Sequence, residues 1–178
     1  MATGTKEIHF EAHIENYLTN TVNEYHSIAP ALYDKGLCVI PSEIIAFIKD
    51  TQSKKYEELA KQYGALVDIK IVENVANNIT KNKTLEVLRN GVKDRGQKLD
   101  LAYFKPANNK TPEHEEAYAK NRLAIVRQLK YSKRNNNEID IVLFINGIPV
   151  VTAELKNALT GQNHYNAIKQ FMQDRDPK

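Results

Sequence analysis

Residues 138–157 read EIDIVLFINGIPVVTAELKN. Two apolar runs, 139–145 and 148–153, flank Asn146-Gly147, and that arrangement predicts a β-hairpin. Val, Ile, Leu and Phe at successive positions imply strands covered on both faces. Asp140, Glu154 and Lys156 are charges in a setting where a core strand should have none. A buried carboxylate is costly without a cation or hydrogen-bond partners, so the two acids call for an explanation.

The turn decides whether they share one. With a two-residue loop at Asn146-Gly147, Ile145 faces Ile148, Asp140 faces Ala153, and Glu154 points to the opposite side of the sheet. A three-residue loop over residues 146–148, with Gly147 left-handed, instead sets Ile145 against Pro149 and Asp140 across from Glu154, with Lys156 on the same face. Pro149 favours this second register, because a residue without an N–H is tolerated beside a bulge and poorly tolerated in an undisturbed ladder. The expectation is therefore an odd loop or a bulge between Asn146 and Pro149.

The rest of the chain reads as α/β. Thr5 is a plausible N-cap for a helix to about Asn20, with Phe10, Ile14, Tyr17 and Leu18 as its buried stripe. Glu11 borders that stripe beside Leu18, whereas Glu15 turns further toward water. A long connection with a short strand at 37–40 leads to a helix capped by Ser42 and carrying Ile44, Ile45 and Ile48, which continues or restarts through Tyr63. Further helical material fills 65–91. Residues 98–104 and 123–131 alternate as strands, residues 106–112 form a polar loop, and a last helix spans about Asn163 to Gln173.

The 178 residues suffice for one domain with a real core, and no apolar run approaches the ~20 residues of a membrane span. The single Cys38 cannot form an internal disulfide; this fits a reducing cytoplasm, and its apolar neighbours predict a buried thiol. Net charge is only +3, but residues 1–120 hold 16 Lys+Arg against 17 Asp+Glu, and residues 121–178 hold 9 against 5. The positive excess therefore travels with the hairpin, where Lys130, Lys133, Arg134, Lys169 and Arg175 are candidate phosphate contacts.

Two carboxylates on one face offer oxygens to a hard divalent cation such as Mg2+, which polarises a phosphate and lowers the pKa of an attacking water. Lys156 adds a fixed positive charge near that water. The combination suits phosphodiester hydrolysis, with Glu11 as the best placed third acid. His9 and His13, four residues apart, lack a third ligand of their kind and read as surface residues.

The string NEIDIVLFINGIPVVTAELKN, with QLKYS at 128–132 and FEAHIENYL at 10–18, resembles the N-terminal endonuclease domain of the restriction (R) subunit of type I restriction-modification enzymes. The resemblance covers almost the whole chain and is loosest in its middle third. It implies a mixed β-sheet flanked by helices with a PD-(D/E)xK restriction-endonuclease-like core, Mg2+ as cofactor, and double-stranded DNA as substrate. The family's Asp, Glu and Lys fall on Asp140, Glu154 and Lys156, and its helix-borne acid on Glu11. Its Gln on the helix after the core falls on Gln170, while Asp174 stands where the family tends to carry Tyr. The family's ATPase motor and its modification and specificity subunits would be partners, and ATP would act only through that motor, because no Walker sequence is present. The 178 residues then read as a single nuclease domain cut from a longer subunit. A repair or recombination nuclease with the same core, and a catalytically silent module that grips DNA backbone or docks a motor, remain the competing readings.

Overall fold

The computed structural model describes residues 4–20, 24–107, 111–156 and 164–174. In chain order the elements are α1 (Gly4–Leu18), β1 (Tyr25–Ser27), α2 (Pro41–Thr51), α3 (Ser53–Tyr63), α4 (Val67–Asn82), α5 (Thr84–Asn90), β2 (Val92–Asp94), β3 (Gln97–Leu99), α6 (Pro112–Ala119), β4 (Leu123–Lys130), β5 (Glu138–Ile145), β6 (Ile148–Ala153) and α7 (His164–Lys169). The helix α7 runs on into a π-helical turn, Gln170–Asp174. The main sheet has the order β1-β4-β5-β6, with β1 parallel to β4 and the other pairs antiparallel, so it is mixed as expected. Among the described residues no helix is long and apolar enough to cross a membrane.

The hairpin resolves the register by the bulge that was expected as one alternative, set one residue beyond Pro149 rather than before it. Ile145 pairs with Ile148, so the loop has two residues, with Asn146 and Gly147 both left-handed at φ 51° and 81°. The three-residue loop is thus incorrect. Phe144 pairs with Pro149 and Leu143 with Val151, which leaves Val150 as an extra residue in β6 just past Pro149. One surplus residue inverts the side-chain phase of everything beyond it. Ile141 then faces Ala153, and the next step along the ladder sets Asp140 opposite Glu154.

The hairpin tip is buried, unlike an ordinary solvent-exposed turn. Asn146 is 1% exposed; its Nδ2 donates to the Leu101 carbonyl at 2.9 Å and to Asn121 Oδ1 at 3.0 Å, and its Oδ1 accepts from the Arg122 N–H at 2.7 Å. Gly147 lies against the start of α2, where its carbonyl accepts from the Ile40 N–H at 2.8 Å. Ile148 carries the strand into a core of Ile44, Phe47 and Ile48 from α2, Leu59 from α3, Ile71 and Val75 from α4, and Leu99 from β3. Each of these fully buried side chains contributes about 1.5–3 kcal/mol. A second core on the sheet joins Ala124, Val126 and Leu129 to Ile139, Val142 and Phe144. Glu43 links the two: its carboxylate takes Arg122 Nε at 2.8 Å, Arg122 Nη2 at 3.1 Å and His26 Nε2 at 3.0 Å.

Several local expectations are corrected. The inward face of α1 is Glu11, Ile14, Glu15 and Leu18, while Phe10 (53% exposed) and Tyr17 (62%) point out. Thr5 lies inside α1, and Pro41 rather than Ser42 opens α2 after an Ile40 cap. Residues 37–40 contribute one bridge, Asp34 to Val39, and the strand expected over 98–104 stops at Leu99. Cys38 is exposed, because φ 57° at this residue turns its side chain away from buried Val39 and Ile40. The loop reading of residues 106–112 missed α6, which starts on Pro112.

Gly147 and Gly96 share nearly the same backbone angle, φ 81° and 86°, in different surroundings. A Cβ on Gly147 would stand 2.5 Å from the Ile40 carbonyl oxygen, whereas one on Gly96 meets nothing within 4 Å. Gly96→Ala should therefore cost only the left-handed penalty of about 1–2 kcal/mol, and Gly147→Ala about 1–3 kcal/mol more. Urea unfolding of the two variants checks this, and equal losses would contradict the buried tip.

Candidate active site

The site forms at the end of the sheet away from the hairpin tip. Asp140 lies in β5, and Glu154 and Lys156 follow the end of β6. The chain leaves β6 so that the Leu155 N–H donates to Asp140 Oδ2 at 2.7 Å, which anchors the carboxylate. Burial pushes the Asp140 carboxyl above its ordinary range. The Glu154 and Glu11 carboxylates add to that rise, while the Leu155 N–H and the Lys156 charge oppose it.

Lys156 Nζ donates to Glu154 Oε1 at 3.0 Å and to Gln170 Oε1 at 2.7 Å. Both ends of this ion pair are largely buried, with side chains 6% and 16% exposed for Glu154 and Lys156. The ammonium is therefore fixed by two acceptors from different segments, so removing one partner would strand a buried charge.

From the other side comes α1. Glu11 is 2% exposed, and both of its oxygens are engaged: Gln128 Nε2 donates to Oε1 at 2.7 Å and Arg127 Nε to Oε2 at 3.4 Å. Gln128 Nε2 also lies 3.4 Å from Asp140 Oδ1. Arg127 reaches past Glu11 to Glu15 Oε2 at 2.7 Å, and the Ser27 hydroxyl donates to the other Glu15 oxygen. Burial pushes the Glu15 carboxyl up, but the bonds from Ser27 and Arg127 and the Arg127 charge outweigh it and hold the group below its usual range. Glu15 is thus part of the anchor that seats α1 on β4, rather than a solvated residue.

All five residues named for catalysis, Asp140, Glu154, Lys156, Glu11 and Gln170, are joined here through hydrogen bonds or mutual electrostatics. The polar groups Arg127 and Gln128 are additional. Their signal was legible: two adjacent polar residues, Arg127-Gln128, interrupt the apolar alternation of 123–129 where a regular strand has room for one on each face. The phosphate candidates are more scattered. Lys130 pairs with Glu138 at 3.4 Å, Lys133 and Arg134 are exposed in the connection before β5, and Lys169 is exposed at the end of α7. Arg175 lies outside the described residues.

The donor set is one of hard oxygens, with the Asp140 carboxyl pushed up first by burial and then by the nearby Glu154 and Glu11 carboxylates, so a small divalent cation fits the chemistry. Among the described residues no three His, Cys, Asp or Glu side chains are gathered closely enough to hold a metal ion together. Asp140 and Glu154 are the pair that could, with Glu11 set back behind Gln128.

No curated protein and no solved structure matches the chain. The family described as type I restriction enzyme R protein N terminus matches residues 17–178. That span includes every strand and every candidate site residue except Glu11. Because it takes in nearly the whole sequence, the chain belongs to the family of type I restriction enzyme R protein N-terminal domains.

Proposed function

We propose that the domain is the Mg2+-dependent endonuclease of a type I restriction enzyme R subunit, a type I site-specific deoxyribonuclease that hydrolyses phosphodiester bonds of double-stranded DNA. The observation that carries this reading is the convergence of Asp140, Glu154 and Lys156 on one face, with Glu11 and Gln170 brought in by separate helices. Family membership supports the restriction context.

Asp140 and Glu154 would hold the ion, and Glu11 adds negative charge from α1. Held there, a divalent cation would polarise the phosphate, acidify the attacking water and stabilise the departing oxygen. The water oxygen would bond to phosphorus as the bond to the leaving oxygen breaks, with the water giving a proton to solvent and the departing oxygen taking one up from solvent. Lys156, steered by Glu154 and Gln170, directs an N–H toward charge that develops in that step. Gln170, being neutral, orients the lysine or a phosphate rather than the ion. The exposed Lys133, Arg134 and Lys169, with Lys130 and Arg175, supply backbone contacts that carry no base reading. The ATPase motor and the modification and specificity subunits are the partners in the intact enzyme.

In that enzyme, Glu154→Ala and Lys156→Ala should lower nicking and cutting by about 100-fold or more while ATP-driven translocation continues. Cleavage assays beside a translocation assay separate the two, and wild-type cleavage by both variants would make the three charges structural.

The electrostatics give an independent test. Asp140 titrates above an unfolded aspartate at about 3.9, so between the two values the folded protein binds more protons and stability falls as pH rises through that window. The penalty is fully present only above that window. Metal-free Asp140→Asn should therefore melt higher than wild type at pH 7, and Mg2+ should raise the melting temperature of wild type but not of the variant. A variant that melts lower, or that gains equally from Mg2+, would contradict the placement of the ion.

A further inference from the structure

We propose that Gln128 is a positioning residue of this site: its carboxamide, brought into reach by a left-handed backbone in the middle of β4, bridges Glu11 and Asp140 and sets the spacing between them. This rests on the nuclease reading above and assigns a role to a residue that supplies neither charge nor nucleophile.

The backbone carries the first argument. Arg127 pairs with Ile141 and Leu129 with Ile139, so Gln128 stands across from Asp140 with no residue inserted. Yet Gln128 has φ 49°, a left-handed conformation that a non-glycine residue rarely adopts within a strand. Its effect shows in the core. Ala124 and Val126 enter the sheet core at even positions, as do Val142 and Phe144, but beyond Gln128 and Asp140 the core side chains are Leu129 and Ile139, at odd positions. The alternation breaks at the pair that lies in the site.

The second argument is what the break achieves. Neighbouring residues of a regular strand point to opposite faces. Arg127 and Gln128 instead both reach one carboxylate, Arg127 Nε at 3.4 Å from Glu11 Oε2 and Gln128 Nε2 at 2.7 Å from Glu11 Oε1. The same amide nitrogen, with two hydrogens to give, lies 3.4 Å from Asp140 Oδ1. Both neighbours are carboxylate oxygens within reach of the same nitrogen, which fixes the amide with its nitrogen toward them. A lysine or arginine in this place would neutralise the acids. A neutral donor holds the two carboxylates at a set distance and adds no positive charge to the one that Arg127 already brings to Glu11.

The test uses Gln128→Gly, Gln128→Asn and Asp140→Asn in the intact enzyme, with Mg2+ binding measured by calorimetry beside melting temperature and cleavage. Glycine removes the amide and relieves the backbone. Gln128→Gly should melt at or above wild type, bind Mg2+ about 10–100-fold more weakly and cleave at least ~10-fold more slowly, with a higher Mg2+ requirement. Asparagine accepts the left-handed conformation and keeps a shorter amide, so Gln128→Asn should recover part of both losses. If Gln128→Gly binds Mg2+ and cleaves as wild type while Asp140→Asn loses both, this inference is overturned and the nuclease reading stands. A Gln128→Gly variant that is destabilised overturns it too, since the residue would then be structural. If Asp140→Asn retains binding and cleavage, the nuclease reading itself fails.

Discussion

β6 carries one residue more than β5 can pair with, and that surplus, Val150, determines which side of the sheet Glu154 faces. Without it the two-residue turn at Asn146-Gly147 would set Asp140 against Ala153 and send Glu154 away. With it, two carboxylates and a lysine meet at the far end of the hairpin. The register can bear this because the tip is immobilised. Asn146 is satisfied on three sides, and Gly147 is close enough to Ile40 that no side chain fits. Slippage by one residue would break these contacts and expose Ile148, which is fully buried in the helical core.

The helix α1 is held on different terms. Its inner face is acidic, Glu11 and Glu15 among Ile14 and Leu18, and what receives it is the guanidinium of Arg127 and the amide of Gln128. A buried ion pair of this kind adds little net stability against an apolar contact, but losing one partner is expensive. The arrangement is better understood as specificity of placement: α1 can seat in one position only, and that position delivers Glu11 to Asp140. Stability comes from the helical core, whereas the sheet end spends some of it on charge.

How much of this was legible depended on which physical signal each residue sends. The shared face of Asp140 and Glu154 followed from Pro149, whose missing N–H marks a disturbed ladder, although the disturbance proved to be a bulge at Val150 beside a regular turn. Parity is readable from sequence; the location of the extra residue is not. Glu11 was placed inward by its helical phase even though Phe10 and Tyr17 proved exposed, because the acids themselves form the inner face and a hydrophobic stripe was the wrong template. Cys38 sent a misleading signal, since its apolar neighbours are buried but its own left-handed backbone is not a property composition reveals. Gln128 was legible only in part: its place beside Arg127 marks an interruption of the strand pattern, but its left-handed backbone is hidden in the same way. By contrast α6 had readable start signals, Pro112 followed by Glu113 and Glu115, that a polar loop composition obscured.

The central claim is that one cation is held between Asp140 and Glu154 and is what the site's negative charge is for. Soaking crystals in Mn2+, a spectroscopically visible substitute for Mg2+, and collecting anomalous diffraction locates it directly. The account predicts a peak within ~2.0–2.4 Å of a carboxylate oxygen of each residue, the range of hard-cation contacts to oxygen. A peak elsewhere in the domain, or an ion bound by neither Asp140 nor Glu154, would contradict it.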